Sequence, residues 1–202
     1  MKVTKQQVAA NRQAILDSAS RLYRAHGLSG VGVAEISRRA GLTHGGLYRH
    51  FDSKETLVLE ACEQALRWTT ADLGLAEPRK ADFDAHVALY LSPEHRDATA
   101  EGCPVAALAA DAGRGGRELS GVFAAGVERY IDHFARLIED ANGKSRAKAR
   151  SKAVISLAAM VGGLLLARAT HAADPALSDE ILATARAWLC DGEPARKSVS
   201  RA

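Results

Sequence analysis

Between Val33 and Phe51 the chain carries two apolar-periodic segments of fewer than ten residues, joined at Ala40-Gly41-Leu42-Thr43. Helices that short cannot bury a core alone, so each must lean on the other and on a longer neighbour. Ala40 allows the two to approach closely, Gly41 permits the turn, and Leu42 and Leu47 plug the small core beneath. The second segment is too polar to be a core element. His44, Tyr48, Arg49 and His50 are expected to project outward, and aromatic and cationic donors exposed together suit phosphate and base edges.

The surrounding pattern is helical throughout. Ile15, Ala19, Leu22, Tyr23 and His26 form one stripe of a first helix over about Lys5–His26, stopped by Gly27. A second helix fits Val33–Ala40. Thr43 is placed to cap a third through Leu47 to His50, and Asp52 or Ser53 to cap a long fourth. Glu77-Pro78 breaks the chain before a helix from Asp82 to Leu91. Ser92 to Gly102 reads as a polar loop, and Cys103–Ala112 as a short helix halted at Gly113 to Gly116. A long helix carrying Val122, Val127, Ile131, Phe134 and Ile138 then ends at Asn142-Gly143. Helices over Lys148–His171 and Ala176–Leu189 follow, with Asp174-Pro175 between them. No strand alternation is evident, and the fold class expected is all-α.

Charge is asymmetric. Residues 1–60 hold nine Lys/Arg against five Asp/Glu, which leaves eighteen against nineteen for the remainder of a chain with 27 and 24. A basic end on a near-neutral body fits contact with phosphate, although many enzymes show as much.

The residues Gly41-Leu42-Thr43, Gly46-Leu47-Tyr48, His50-Phe51 and Ser53-Lys54-Glu55 together resemble the TetR family of regulators over about residues 12–60. That family's pattern is a G-[VL]-[ST] turn, a G-x-[LI]-Y recognition helix and an F-x-[SN]-K-E-x-L linker helix. One departure is Val31-Gly32, where the family usually has Thr-Thr or Thr-Ser; a hydroxyl contact to phosphate is absent there. The resemblance implies a three-helix helix-turn-helix DNA-binding domain over 1–52. A helical ligand-binding and dimerisation domain over 53–192 would follow, and a basic tail over 193–202 is read as disordered. It implies double-stranded operator DNA as partner, a homodimer, and a repressor released by a small inducer. Thr43 would cap the recognition helix and touch phosphate, and His44 and Gly45 would face base edges. Tyr48, Arg49, His50 and Lys54 would contact the backbone. Arg38 and Arg39, and the run Lys144, Arg146, Lys148, Arg150 and Lys152, are read as solvated charge.

In the second domain, Val154, Leu157, Ala158, Val161, Leu164 and Leu165 form one apolar stripe. Ile155, Ala159, Gly162 and Leu166 form another, as expected of a helix with its own core on one side and a second subunit on the other. Leu177, Ile181, Ala185, Trp188 and Leu189 would complete that surface. Candidate ligand contacts are Cys62, Trp68, His86, Tyr90, Cys103, Phe123, Tyr130 and Phe134, beside Phe83 and His133. Few buried charges are expected there, which favours an apolar or aromatic inducer. Cys103 at a helix start could be a reactive thiol, but inert packing is the preferred reading for it and for Cys62.

Three widely spaced cysteines suit reduced thiols in a cytoplasm, and no signal sequence is seen. The apolar run Ala153 to Ala167 falls short of the roughly 20 residues of a membrane span. The seven histidines show no i, i+4 pair and no C-x-x-C occurs, so neither metal nor cofactor is expected, and no nucleophile or phosphate-loop motif points to an enzyme. A DNA-associated regulator without a small ligand, sensing thiol oxidation or simply occupying DNA, is the alternative.

Overall fold

A computed structural model describes residues 4–68, 83–142 and 145–191. Among these the chain is ten α-helices with no strand: α1 Lys5–His26, α2 Val33–Arg39, α3 His44–Leu47, α4 Lys54–Ala65, α5 Phe83–Tyr90, α6 Pro93–Asp97, α7 Pro104–Arg114, α8 Gly116–Asn142, α9 Arg146–His171 and α10 Pro175–Asp191. The break at Glu77-Pro78, the start of the fifth helix at Asp82, Lys144 and the basic tail lie outside the described residues.

The helices belong to two compact units, residues 1–74 with 98–130, and residues 75–97 with 131–202. In the first, α1 is the spine. Thr4 caps it by accepting a bond from Gln7 N–H at 3.1 Å, and its inward stripe Ile15, Ala19, Leu22 and Tyr23 packs on α4, α2 and α7. Arg12 reaches from α1 to Glu60 of α4 at 2.5 Å, with its guanidinium 4.6 Å above the Phe51 ring. That fixes the chain entering α4.

In the second unit α9 and α10 pack most extensively. The buried face of α9 is Ala149, Ala153, Ser156, Leu157, Met160, Gly163, Leu164 and Ala167. This face takes Leu157 and Leu164 from the first expected stripe and nothing from the second, and is otherwise built from Ala149, Ala153, Ser156, Met160, Gly163 and Ala167, which neither stripe includes. Small residues let α10 approach: a Cβ on Gly163 would sit 3.2 Å from the Ala185 Cβ. Val154, Ile155, Leu165 and Leu166 are left exposed, joined by Leu177 and Trp188 of α10. At 26 residues, with an 18-residue window of mean hydropathy 1.8, α9 is long and apolar enough to cross a membrane by length and composition. The sequence expectation had counted only the uninterrupted apolar run. Its inner face is covered by α10, α5 and α6, as in the central helix of a bundle.

The polar stretch Ser92 to Gly102 is not simply a loop. It contains α6, in which His95 is fully buried and Arg96 nearly so. Arg96 donates to Asp179 at 2.6 Å and to Ser178 at 3.1 Å on α10, while Arg168 of α9 donates to the His95 and Arg96 carbonyls. Burial alone would penalise these charges; the bonds satisfy them and staple α6 to both long helices.

Candidate nucleic-acid interface

The helix-turn-helix is built from its terminations. Gly32 stands at the N-cap of α2 without a side-chain bond, in keeping with the missing hydroxyl. At the other end Gly41 has φ 72°, its N–H donates to the Arg38 carbonyl at 3.2 Å, and the Leu42 N–H reaches back to Ser37 at 2.9 Å. This pair of bonds caps the last carbonyls of α2 around a left-handed residue, and glycine takes that conformation at least cost. Ile36, Leu47 and Phe51 are each buried within the first unit, and α2 packs on α3.

Thr43 occupies the N-cap of α3, but its side chain makes no capping bond and is exposed. The α-helix ends at Leu47, whereas the sequence pattern extends it to His50. Tyr48, Arg49 and His50 continue as turns, with His50 N–H donating to Leu47 at 2.9 Å. Two consecutive glycines remove about 1 kcal/mol each of helix propensity, enough to shorten a helix with so few bonds. Thr43, Gly45, Tyr48 and Arg49 are exposed and His50 is half-buried, so this stretch presents a polar ridge around the buried Leu47.

The choice between Asp52 and Ser53 falls to Ser53, whose Oγ accepts from Thr56 N–H at 3.1 Å. Backbone and Ser53 hydrogen bonds hold the exposed Glu55 carboxyl below its ordinary value. Lys54, half-buried, donates from Nζ to the Val31 carbonyl at 3.2 Å. That contact ties the start of α4 to the α1–α2 connection, and an ammonium keeps two further donors. Arg38 is exposed and pairs with Glu35 at 3.9 Å.

The ligand candidates fall in both units. In the first, Cys62 is buried on α4, and burial, then Asp111, pushes its thiol up to about 12. Such a thiol is a packing group at neutral pH. Trp68 donates its indole N–H to the Glu101 carbonyl, and Tyr130 donates to the Trp68 carbonyl at 3.3 Å. Cys103, at the N-cap of α7, and Phe123 are buried. In the second unit, His86 lies 5.3 Å from His133 and 6.1 Å from Phe134, whose ring meets Phe83 edge-on at 6.2 Å. Among the described residues the buried His86 Nδ1 has no hydrogen-bond partner. Tyr90 packs edge-on against His95 at 4.6 Å.

A recess of 570 Å³ in the first unit was not anticipated from sequence. It is lined by Arg21, Arg24, Arg39, Arg67, Trp68 and Glu101, among others. The signal lay in the i, i+3 pair Arg21 and Arg24 on an otherwise ordinary helix, but only folding brings Arg39 and Arg67 beside it.

Residues 15–61 match the model for bacterial regulatory proteins of the tetR family. The regulator AcrR of Shigella flexneri is 43% identical over 60 residues, 30% of this chain and 28% of that protein. The repressor KstR2 of Mycolicibacterium smegmatis is 37% identical over 65 residues, 32% of each chain. The chain thus spans under a third of the length of these curated relatives, and the matched part is the helix-turn-helix with its flanking helices. Over nearly the whole chain, the reduced form of NemR from E. coli has the same fold, with TM-score 0.71 and 19% identity, covering 90% of this chain and 95% of that one.

Proposed function

We propose that this chain, which belongs to the TetR family of bacterial regulatory proteins, is a dimeric regulator of transcription that binds operator DNA and releases it when a small molecule binds. Its matched relatives are transcriptional regulators rather than enzymes. The observation that carries the reading is the polar ridge of residues 43–50, set around the buried Leu47 and flanked by the capped start of α4. In this proposal α3 enters the major groove at His44 and Gly45. Thr43, Tyr48, Arg49, His50 and Lys54 bind phosphates, and the protein works in the cytoplasm beside its operator.

For the inducer we infer an apolar or aromatic molecule. The ring cluster of Phe83, His86, His133 and Phe134 supports this, because it offers aromatic edges and an imidazole nitrogen left unsatisfied among the described residues. Selection of bound fragments from random duplex DNA, followed by mobility shift with a panel of aromatic metabolites, tests both parts. Enrichment of an inverted repeat supports operator binding, and no enriched sequence overturns it. An inducer that binds must lower operator affinity, by about 5- to 150-fold, and be weakened equally by operator. A molecule that binds tightly yet leaves operator affinity unchanged defeats the inducer claim.

A further inference from the structure

The arginine-lined recess of the first unit reaches from Arg39, the last residue of α2, to Ala65 of α4. Ala65, on its wall, is eleven residues beyond Lys54 along α4, about 16 Å at the helical rise. Four guanidiniums converge there from two helices and the segment following α4: Arg21 and Arg24 from α1, Arg39 from the last position of α2, and Arg67. Two carboxylates accompany them. Glu101 pairs with Arg21 at 3.5 Å, and Asp17 accepts amide bonds from Gln13 and Gln64 at 2.8 and 2.7 Å. Arg24 braces the Gly102 carbonyl at 3.0 Å. Among the described residues Arg67 pairs with the exposed Glu63 at 3.4 Å, and an exposed pair of that kind contributes little. The formal balance in the recess is therefore positive.

Two features separate this from a solvated charged face. A concave wall focuses the field of its charges, and the guanidinium fork matches a carboxylate or phosphate through two parallel bonds. The volume also falls in the range of roughly 300–1,000 Å³ that small ligands fill. We propose that the recess binds a small polyanion carrying two or more phosphate or carboxylate groups, held chiefly by Arg39 and Arg67. This site is additional to the operator surface and to the aromatic inducer.

Calorimetric titration of the full chain with pyrophosphate and with citrate, at ionic strength held constant by sodium chloride, tests it. The expected result is saturable binding of one anion per chain, with pyrophosphate or citrate preferred according to whether phosphate or carboxylate is the natural group. Arg39→Gln with Arg67→Gln should weaken it at least tenfold. Both side chains lie at the surface and Arg24 stays in place, so a circular dichroism melt should show the fold retained. Heats that never saturate, or binding unchanged in the double variant, overturn the proposal. It is equally overturned if neither anion binds while the double variant lowers the salt slope of operator binding by about two units, because the arginines are then contacts to the DNA backbone.

Discussion

Lys54 serves two partners in the proposed complex. Its ammonium is fixed by the Val31 carbonyl, and the proposal assigns its remaining donors to a DNA phosphate. The two roles separate experimentally. Lys54→Met should weaken all DNA sequences alike and lower the slope of log affinity against log salt by about one unit, as loss of one phosphate contact requires. A weaker complex with an unchanged slope, measured by titration across salt, would leave only the positioning role. His95 offers a second prediction at this scale. Burial, opposed by the bond from its Nδ1 to the Tyr90 carbonyl and reinforced by Arg168, lowers its pKa from 6.5 to about 4. A lowered folded-state value stabilises the fold above the unfolded value, and the contribution is lost as pH falls through the folded one. Stability should therefore decline between pH 6.5 and 4, by up to about 3 kcal/mol. Asp97, also lowered, through its bond to Arg96, titrates below that window. Urea midpoints at pH 7, 5.5 and 4.5 should fall for the native chain and stay flatter for His95→Gln.

Among the elements, α3 is where backbone shape and function are most closely tied. A Cβ on Gly45 would meet nothing within 4 Å, so the fold itself does not require glycine there. Gly45→Ala should stabilise the helix by about 0.5–1 kcal/mol and raise Tm slightly. If α3 lies against base edges, the same methyl should weaken operator binding at least tenfold. Normal affinity in a more stable protein would move the groove contact elsewhere on the ridge. Strong local signals made much of this region legible in sequence. The bounds of α1, the Gly41 turn and the cap of α4 each follow from residues with few other conformational uses. What stayed hidden was set by distant packing. Ser92 to Gly102 looks like solvent-facing chain until Arg96 finds Ser178 and Asp179, 82 and 83 residues away. The inward face of α9 depends on Ser156 and Gly163, which no apolar count selects. The recess needs Arg39 and Arg67 beside α1. Of the proposed DNA contacts, residue types point to His44, Tyr48, Arg49 and His50, and the family resemblance adds Thr43, Gly45 and Lys54; the early end of α3 and the hold of Val31 on Lys54 come from the fold alone.

For the whole molecule, the question is what covers the outer face of α9 and α10. Ile155 and Leu166 are each 56% exposed, beside Val154, Leu165, Leu177 and Trp188. An apolar surface of that extent on two neighbouring helices is costly to leave in water, and a second copy related by a two-fold axis would bury it against itself. Neighbouring glycines provide a clean test. A Cβ on Gly163 would crowd Ala185 and Leu91 within the same chain, whereas one on Gly162 meets nothing within 4 Å. A bulky Gly162→Phe side chain therefore starts from open space in the lone chain, and its ring should clash with a partner. We expect this variant to keep its helical content but to shift from dimer to monomer in light scattering, and Leu166→Glu to do the same by burying an unpaired charge. Operator binding should fall with dimerisation, because a two-fold pair sets two α3 ridges on half-sites about one helical turn or slightly more apart, and one half-site alone binds weakly. Joining two half-sites with ten extra base pairs should be better tolerated than with five, since five turn the second site to the opposite face of the duplex. A Gly162→Phe chain that remains dimeric and binds the same inverted repeat would place the interface on another face and leave the α9–α10 patch without its partner.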